Sequence, residues 1–592
     1  MQPWPHCADR GPVAAGGVHR VPGGDGRLRN RVWLSGMLLC VAAGCVACGP
    51  VRGALPAAQA STPAPGSGSA GPRAGGTLTV AVSSDFPTLD PALAQDTESI
   101  SAIQLMYEPL FSYAPGGLLV GRLARAWHWN AAGTALTVDL HASARFADGT
   151  PVTSADVAFS LDRMLAMTTD SPHALSFSAL VGFSEIRAGK PWLATGVQPV
   201  SNDTIIFHLK HPVPYLPELL AMPSTSVVEE RLVQGVAAGS AWWFEHSAGS
   251  GPYVLASSTP GQSLELRPSP KYWRKGIRTG GYLEGPFAAV DFRIVPSPAQ
   301  QARMFAAGQL DMLSNVSPAQ LADLAPPPAG SRLWEASDLG LAYLGFNVAK
   351  PPFDHVLMRR AVAYALNKRK LLAAAGGQGE VAGGMLPPGI PGYDPALAPY
   401  PYNPSEARAL FREAGGKPGL PVQILTIAAG GTVQQATTDA VAESVARDLD
   451  AVGFQVTVLR DTWQEYYRDL ASGRANLFQA QWLADYPDPQ DFMFNLLDSA
   501  AIGAGNASFY HNPAFDRAEA AAAAMLDPTA RAAAYRNLDD SVARALPILP
   551  EFYTESAVLV QPWVVPQSFA IFLSPPLMPQ LDRVWLVPHT GG

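Results

Sequence analysis

The sequence predicts an α/β protein that has more than one lobe and a ligand cleft at an interface between lobes. Short β-rich runs with alternating side chains recur among helices whose apolar residues repeat at helical spacing. This alternation extends over most of the chain, and 592 residues are enough for roughly three or four domains or lobes.

Composition excludes several classes of function. A formal net charge of −8 and a pI near 5.8 argue against a nucleic-acid partner, which selects for a basic surface. All four cysteines lie within the first 48 residues. The rest of the chain therefore has no disulfide, cysteine-based zinc site or thiol nucleophile, as is consistent with a protein outside the cytoplasm.

Residues 1–48 have the pattern of a signal peptide with a lipobox. Three arginines at 27–31 precede an uncharged apolar run that ends in small residues and is short for a membrane-spanning helix. The small residues before Cys45 resemble a lipobox, so we expect Cys45 to be lipidated, with Cys48 as the alternative. An ordinary signal peptide or an uncleaved anchor stays open.

Residues 49–75 predict a flexible tether, because small residues, proline and glycine offer almost no bulky apolar side chains to offset the entropy of ordering. A lipoprotein cysteine carries at least two acyl chains, which is enough for stable anchoring. We therefore expect the chain to be exported, and either anchored to the outer face of the cytoplasmic membrane or held in the periplasm.

The first half of the body opens with a strand and continues with mixed elements. Leu78–Val82 and Ala135–Leu140 alternate as strands do, and a turn at 148–151 follows the second. Thr153 is predicted to cap a helix, because Asp156 stands at the position that completes a capping box.

The second half repeats the same kinds of element. A helix is predicted to begin at Asp354, and Asn403 followed by proline and Glu406 is typical of another helix start. A further helix that includes 445–449 leads into the strand Phe454–Val458.

Catalytic motifs are missing from the sequence. It has no Gly-x-Ser-x-Gly, His-Glu-x-x-His or P-loop pattern, and no glycine-rich turn that opens a helix. Carboxylate pairs such as Asp485 with Asp488 are weak support for hydrolysis in a chain with 49 acidic residues. We expect a protein that is not an enzyme, with no cofactor and no metal.

Eight groups of motifs occur in the order of one known family. From about Gly76 to near the C-terminus, the chain resembles the extracellular solute-binding proteins of family 5, which bind dipeptides, oligopeptides or nickel for ABC importers, and it most resembles the oligopeptide-binding members. The motifs are Gly75–Val80 with Leu89–Pro91, Tyr107–Phe111, Phe146–Val157, Gly249–Tyr253, Pro270–Trp273, Gly308–Asp311, Phe346–Asn347 with Pro352–Asp354, and Arg359–Leu366.

The resemblance implies a two-lobed fold like that of periplasmic binding proteins (type II, cluster C), with an extra subdomain on lobe 1 and a ligand cleft between the lobes. The chain would cross the hinge near 344–348 and return near 552–558. The implied domains are lobe 1 at 76–345 including the subdomain at about 108–245, lobe 2 at 346–555, and a return to lobe 1 at 556–592.

The resemblance also implies a function and a site. The chain would be a monomeric lipoprotein that captures short peptides and delivers them to an ABC permease with two membrane subunits and ATPases. In oligopeptide-binding relatives, the aspartate in the context of Asp485 pairs with the α-amino group of the peptide, and Trp482 would form an apolar wall beside it. Asn347, Tyr107 and Phe86 are further candidates for ligand contact.

Several alternatives stay open. Trp482 can instead pack in the core, and Asp485 can cap a turn. The same fold can bind nickel, haem or an oligosaccharide, or can act as a ligand sensor. An extracellular hydrolase is a further class, although the sequence shows no nucleophile for it.

Overall fold

The computed structural model describes residues 75–114, 117–189, 196–275, 278–279, 282–283, 285, 287–324, 326–428, 433–566, 581 and 584–586. The predicted signal peptide, the predicted lipidation at Cys45 or Cys48, and nearly all of the predicted tether lie outside these residues.

Helices and strands alternate along the described chain, as the sequence predicts. The strands are β1 (Thr77–Val82), β2 (Phe111–Ala114), β3 (Leu118–Gly121), β4 (Ala124–Trp129), β5 (Ala135–Leu140), β6 (Val197–Ser201), β7 (Thr204–His208), β8 (Tyr253–Thr259), β9 (Ser263–Pro268), β10 (Arg278–Thr279), β11 (Tyr282–Leu283), β12 (Ala289–Ile294), β13 (Met312–Ser314), β14 (Arg332–Phe346), β15 (Glu380–Val381), β16 (Leu420–Ile427), β17 (Phe454–Asp461), β18 (Leu477–Leu483), β19 (Ile548–Val560), β20 (Val564–Pro566) and β21 (Val584–Leu586). The helices are α1 (Thr97–Met106), α2 (Ser154–Leu165), α3 (Phe183–Arg187), α4 (Leu216–Leu219), α5 (Glu230–Val233), α6 (Pro298–Ala306), α7 (Pro318–Asp323), α8 (Val356–Ala365), α9 (Lys368–Ala374), α10 (Pro404–Glu413), α11 (Val433–Asp450), α12 (Trp463–Ser472), α13 (Pro489–Leu497), α14 (Pro513–Ala523) and α15 (Pro528–Ala545).

Local sequence signals locate several of these elements well. Thr153 and Asp156 form the predicted capping box at the start of α2, and Asn403 caps α10 through a bond from the Glu406 amide. The helix predicted to begin at Asp354 begins two residues later, at Val356. The earlier start was wrong because Asp354 belongs to a turn, in which its amide donates to the carbonyl of Lys350 at 3.0 Å.

One mixed sheet runs through both lobes, with strand order β17-β16-β18-β14-β19-β13-β1-β12-β9-β8. The long strands β14 and β19 are antiparallel neighbours and connect its two halves. β18 pairs with the second half of β14, whereas β13 pairs with the end of β19. These two strands therefore carry the chain between the lobes within a continuous hydrogen-bonded sheet.

The strand β14 contains an irregularity. The β14–β19 register changes between Ser337 and Gly340, and Leu339 has a φ of 52°. The carboxylate of the buried Asp338 accepts bonds from the Thr554 hydroxyl and, at 3.1 Å, from the Gly340 amide. The Asp338 carboxylate thus binds the irregular part of β14 to β19. The irregularity lies earlier in β14 than the predicted crossing at 344–348. Thr554, which binds Asp338, lies within the predicted return at 552–558.

A separate subdomain precedes α6 and forms its own apolar core. β4, β5, β7 and β6 form an antiparallel sheet in that order. Buried residues of this sheet and of α2 and α4 make one cluster, which also contains Tyr486 and Ala523 from the second half of the chain. The subdomain thus packs directly against the lobe 2 segment that carries the predicted ligand residues.

Candidate functional site

The predicted ligand segment is the connection between β18 and α13. β18 ends at Leu483, and Asp488 caps α13 by accepting the Gln490 amide at 2.9 Å, with proline in the first turn. Residues 484–488 are therefore held between a sheet strand and a capped helix, which fixes the backbone from which Asp485 projects.

Asp491 organises this connection from behind. One oxygen of its fully buried carboxylate accepts the Trp482 indole N–H at 3.0 Å and the Asp485 amide at 3.1 Å. The other oxygen accepts the Asn495 side-chain amide at 3.1 Å. Burial, and after it the charge of Asp485, raises the pKa of Asp491 well above its usual range. Asp491 thus positions both predicted ligand residues, a role that sequence reasoning missed.

The Asp485 carboxylate faces lobe 1. One of its oxygens lies 3.9 Å from Nδ1 of His173, which belongs to the subdomain. The Asp485 side chain keeps 40% of its surface accessible, yet burial raises the pKa of its carboxyl, while the charge of His173 acts in the opposite direction. Asp485 therefore has side-chain surface to offer a ligand at the boundary between the subdomain and lobe 2.

Aromatic and charged side chains join the subdomain to lobe 2 beside Asp485. Tyr215 of the subdomain stacks parallel to Tyr486, with ring centroids 6.0 Å apart. The Arg531 guanidinium lies 5.2 Å from the Tyr215 ring centroid. At Gly133 the backbone comes so close to the Leu526 side chain that a Cβ would stand 2.8 Å from it. These contacts bring the two lobes together in the conformation described.

Arg531 also neutralises the helix cap. Its two terminal nitrogens bind the two oxygens of Asp488 at 2.5 and 2.7 Å, and both side chains are almost fully buried. Two more carboxyl groups lie near this pair. Burial raises the pKa of Glu218 and of Glu519 to about 7 each, and the charge of Asp488 adds to both shifts. The positive charge of Arg531 acts against both of these pKa shifts.

The remaining predicted site residues have other contacts. Asn347 is 2% exposed and donates its side-chain amide to the Gly473 carbonyl at 3.0 Å. Tyr107 is 1% exposed at the end of α1 and packs near Trp243, and Phe86 meets Phe292 edge to face.

The structure brings together Asp485 and Trp482, but not the other three candidates. A side chain enclosed in the core of lobe 1, as Tyr107 and Phe86 are, has almost no surface to offer a ligand in this conformation. As ligand-binding residues, Asn347, Tyr107 and Phe86 stay predictions. Trp482 is half-buried against the lobe 2 core, which is the packing role, and its role as a wall of the ligand site stays a prediction.

No group of three or more histidine, cysteine, aspartate or glutamate side chains within the described part of the chain could hold a metal ion. No helix among the same residues is long and apolar enough to cross a membrane.

Comparison with known proteins identifies the class. The fold is that of the two-lobed periplasmic binding proteins: the DppA protein of Helicobacter pylori, solved with the peptide STSA, matches with a TM-score of 0.71 at 22% identity, covering 87% of this chain and 98% of its own. The family model "Bacterial extracellular solute-binding proteins, family 5 Middle" matches residues 119–504. The chain therefore belongs to family 5 of the bacterial extracellular solute-binding proteins, which serve ABC importers.

Curated relatives are binding proteins of the same kind. The periplasmic oligopeptide-binding protein OppA of Escherichia coli is 25% identical over 491 residues, covering 81% of this chain and 88% of its own. The heme-binding protein A of Haemophilus influenzae is 27% identical over 476 residues, covering 78% and 84%. The chain thus has relatives named for peptides and a relative named for haem.

Proposed function

We propose that this protein captures short peptides outside the cell and delivers them to the permease of an ABC importer. The observation that carries the proposal is the Asp485 carboxylate, whose side chain keeps 40% of its surface accessible and lies 3.9 Å from His173 across the boundary between the subdomain and lobe 2. Relatives named for oligopeptides support the choice of ligand.

Recognition would centre on the α-amino group of the peptide. An ammonium beside Asp485 forms a charge-assisted hydrogen bond, worth about 1.5–3 kcal/mol when the site excludes bulk water. Asp491 holds the Asp485 backbone amide, so the carboxylate is oriented before a ligand arrives. Trp482 lies on the same support and would cover the apolar part of the first peptide residue.

Closure of the two lobes would complete the site. The subdomain and lobe 2 meet through Tyr215, Tyr486 and Arg531, of which Tyr486 is the neighbour of Asp485 in sequence. Ligand contacts that exist only when the lobes are together shift an equilibrium between open and closed forms toward the closed form. The permease, with two membrane subunits and ATPases, would receive the closed form.

We also propose that the protein is exported and works as a monomeric lipoprotein, with the domain boundaries predicted above. The lipid would be attached to Cys45, or alternatively to Cys48. Cys45→Ser and Cys48→Ser variants distinguish the two, because membrane fractionation should find only the variant of the lipidated cysteine released from membranes. If neither substitution releases the protein, the lipid anchor is refuted.

The ligand is tested by calorimetry and thermal shift of the purified full chain. The panel comprises dipeptides to hexapeptides with free and acetylated N-termini, nickel, haem and oligosaccharides. We expect free peptides to bind and Asp485→Asn to weaken them about 10- to 100-fold, with little effect on acetylated peptides. Asp323→Asn, an exposed aspartate of α7, is the matched control. If haem, nickel or a sugar stabilises the protein and no peptide does, the peptide assignment fails.

A further inference from the structure

His173 and Asp485 lie on opposite sides of the boundary between the lobes. His173 stands immediately before a short 3-10 turn of the subdomain at Ala174–Phe177. Its Nδ1 is 3.9 Å from a carboxylate oxygen of Asp485, which is beyond the range of a good direct hydrogen bond. The His173 side chain keeps 17% of its surface accessible, so neither group is sealed from a ligand.

Building on the proposed function, we propose that His173 is a second residue that binds the peptide ammonium. The neutral imidazole would accept one N–H bond at Nδ1 while Asp485 accepts another, so that the ammonium joins the subdomain to lobe 2. The proposal extends recognition to a group on lobe 1 and makes ligand binding depend on the protonation state of that group.

The separation of the two acceptors suits one shared donor. Two hydrogen bonds of about 2.8 Å from one nitrogen to atoms 3.9 Å apart meet at an angle of about 90°. The N–H bonds of an ammonium diverge at about 109°, within the angular tolerance of hydrogen bonds. A neutral imidazole that carries its proton on Nε2 has the lone pair on Nδ1 that this arrangement needs.

Nearby charges favour a cation at this place. On the lobe 2 side, Asp491 lies behind Asp485, and the charge of Asp485 helps to raise the pKa of Asp491. Asp488 is already paired with Arg531. The ionisable side chain of Tyr486 lies on the same side. On the subdomain, exposed Asp170 lies on the same loop as His173, and Asp162 and Arg163 lie on α2, which packs against the 3-10 turn. Arg163 is paired with Asp90, and Lys210 donates to the carbonyl of Ser178 at the end of the turn.

Protonation of His173 would oppose the ligand in two ways. A protonated imidazole has no acceptor at Nδ1, and its positive charge would pair with Asp485 and repel the ammonium. Histidine is the side chain that commonly changes charge between about pH 5 and pH 8. Peptide binding on the acid side of this range would therefore release a proton, and affinity would fall by up to about ten-fold per unit of pH as the solution is acidified.

The test measures protons released by the full chain. Calorimetry of one free tripeptide at about pH 6, where α-amino groups are fully charged, is repeated in two buffers with different ionisation enthalpies. We expect the wild type to release a substantial fraction of one proton per peptide. His173→Gln, which keeps a neutral acceptor, should bind with clearly less proton release than the wild type and a flatter pH profile. His173→Ala should bind about ten-fold more weakly at about pH 7.5.

Controls separate this inference from the proposed function. His128→Gln changes an exposed histidine of β4 in the same subdomain and should behave as the wild type, while His173→Asn repeats the test should the glutamine variant misfold. Proton release as large in His173→Gln as in the wild type would come from Asp485 and would overturn the proposal, as would peptide binding without release by the wild type; both leave the peptide function intact. If no peptide binds the wild type at all, the proposed function fails and this inference with it.

Discussion

Replacing Arg531 with methionine should destabilise the folded protein substantially. The guanidinium binds both oxygens of Asp488, and the two side chains are only 8% and 7% exposed. Methionine fills most of the volume but leaves a buried carboxylate without its counter-charge. Removal of one partner of such a pair costs about 3–5 kcal/mol, because the remaining charge is desolvated and unpaired.

This free energy converts into a measurable melting shift. Unfolding entropy near 60 °C is about 2.1 cal/mol/K per residue, or about 1 kcal/mol/K for a body of about 500 residues. A loss of about 3–5 kcal/mol should therefore lower the melting temperature of Arg531→Met by about 3–5 °C in differential scanning calorimetry. Arg125→Met is the matched control: it breaks an ion pair with Asp139 whose side chains are 58% and 32% exposed, so we expect a shift of less than about 1 °C.

A second substitution tests the electrostatic reasoning. Asp488→Asn in the Arg531→Met background removes the unpaired charge while asparagine can still cap α13. The double variant should recover a large part of the lost melting temperature. Equal shifts in Arg531→Met and Arg125→Met, or no recovery in the double variant, would refute the view that the buried charge dominates the effect.

Three further variants probe the neighbouring contacts. Trp482→Phe removes an indole donor from the buried Asp491 carboxylate, so urea unfolding should show a loss of about 1–3 kcal/mol; an unchanged midpoint would contradict this. Tyr215→Ala removes the ring stacked on Tyr486, and should weaken peptide binding about five-fold or more with a larger scattering radius, whereas Tyr215→Phe should keep both properties. Burial raises the pKa of Glu218 from 4.5 to about 7, so its charge lowers the unfolding free energy as pH rises through this window. The melting temperature of Glu218→Gln should therefore fall less than that of the wild type between about pH 5 and pH 8. Equal decreases would show that Glu218 does not contribute.

Patterns confined to a few neighbouring residues were predictable from the sequence. The capping box of Thr153 and Asp156 closes within one helical turn, so its residue types suffice to predict it. The strand at Ala135–Leu140 alternates over its whole length and has the predicted bounds. The two-lobed fold was predicted from the order of many such motifs, and the structural comparison confirms it.

Contacts between distant parts of the chain could not be predicted in this way. His173 faces Asp485 only because the subdomain packs on lobe 2, and no local pattern records that packing. Asp491 was visible as one of several closely spaced acidic residues, but its role depends on a Trp482 indole that turns toward it. The irregularity at Asp338 likewise depends on a hydroxyl of β19, far along the chain, that donates to its carboxylate.

The sheet shared by β14 and β19 also sets an order for folding. Strands β16, β17 and β18 lie within one uninterrupted stretch between the two crossings, so lobe 2 can close its core from contiguous chain. Lobe 1 needs the last part of β19 beside β13, and its core includes Leu581, Val584 and Leu586 packed with Leu78. Domains commonly fold in the order of their synthesis. Lobe 1 is synthesised first, but it can complete its core only after residues 558–586 have been synthesised.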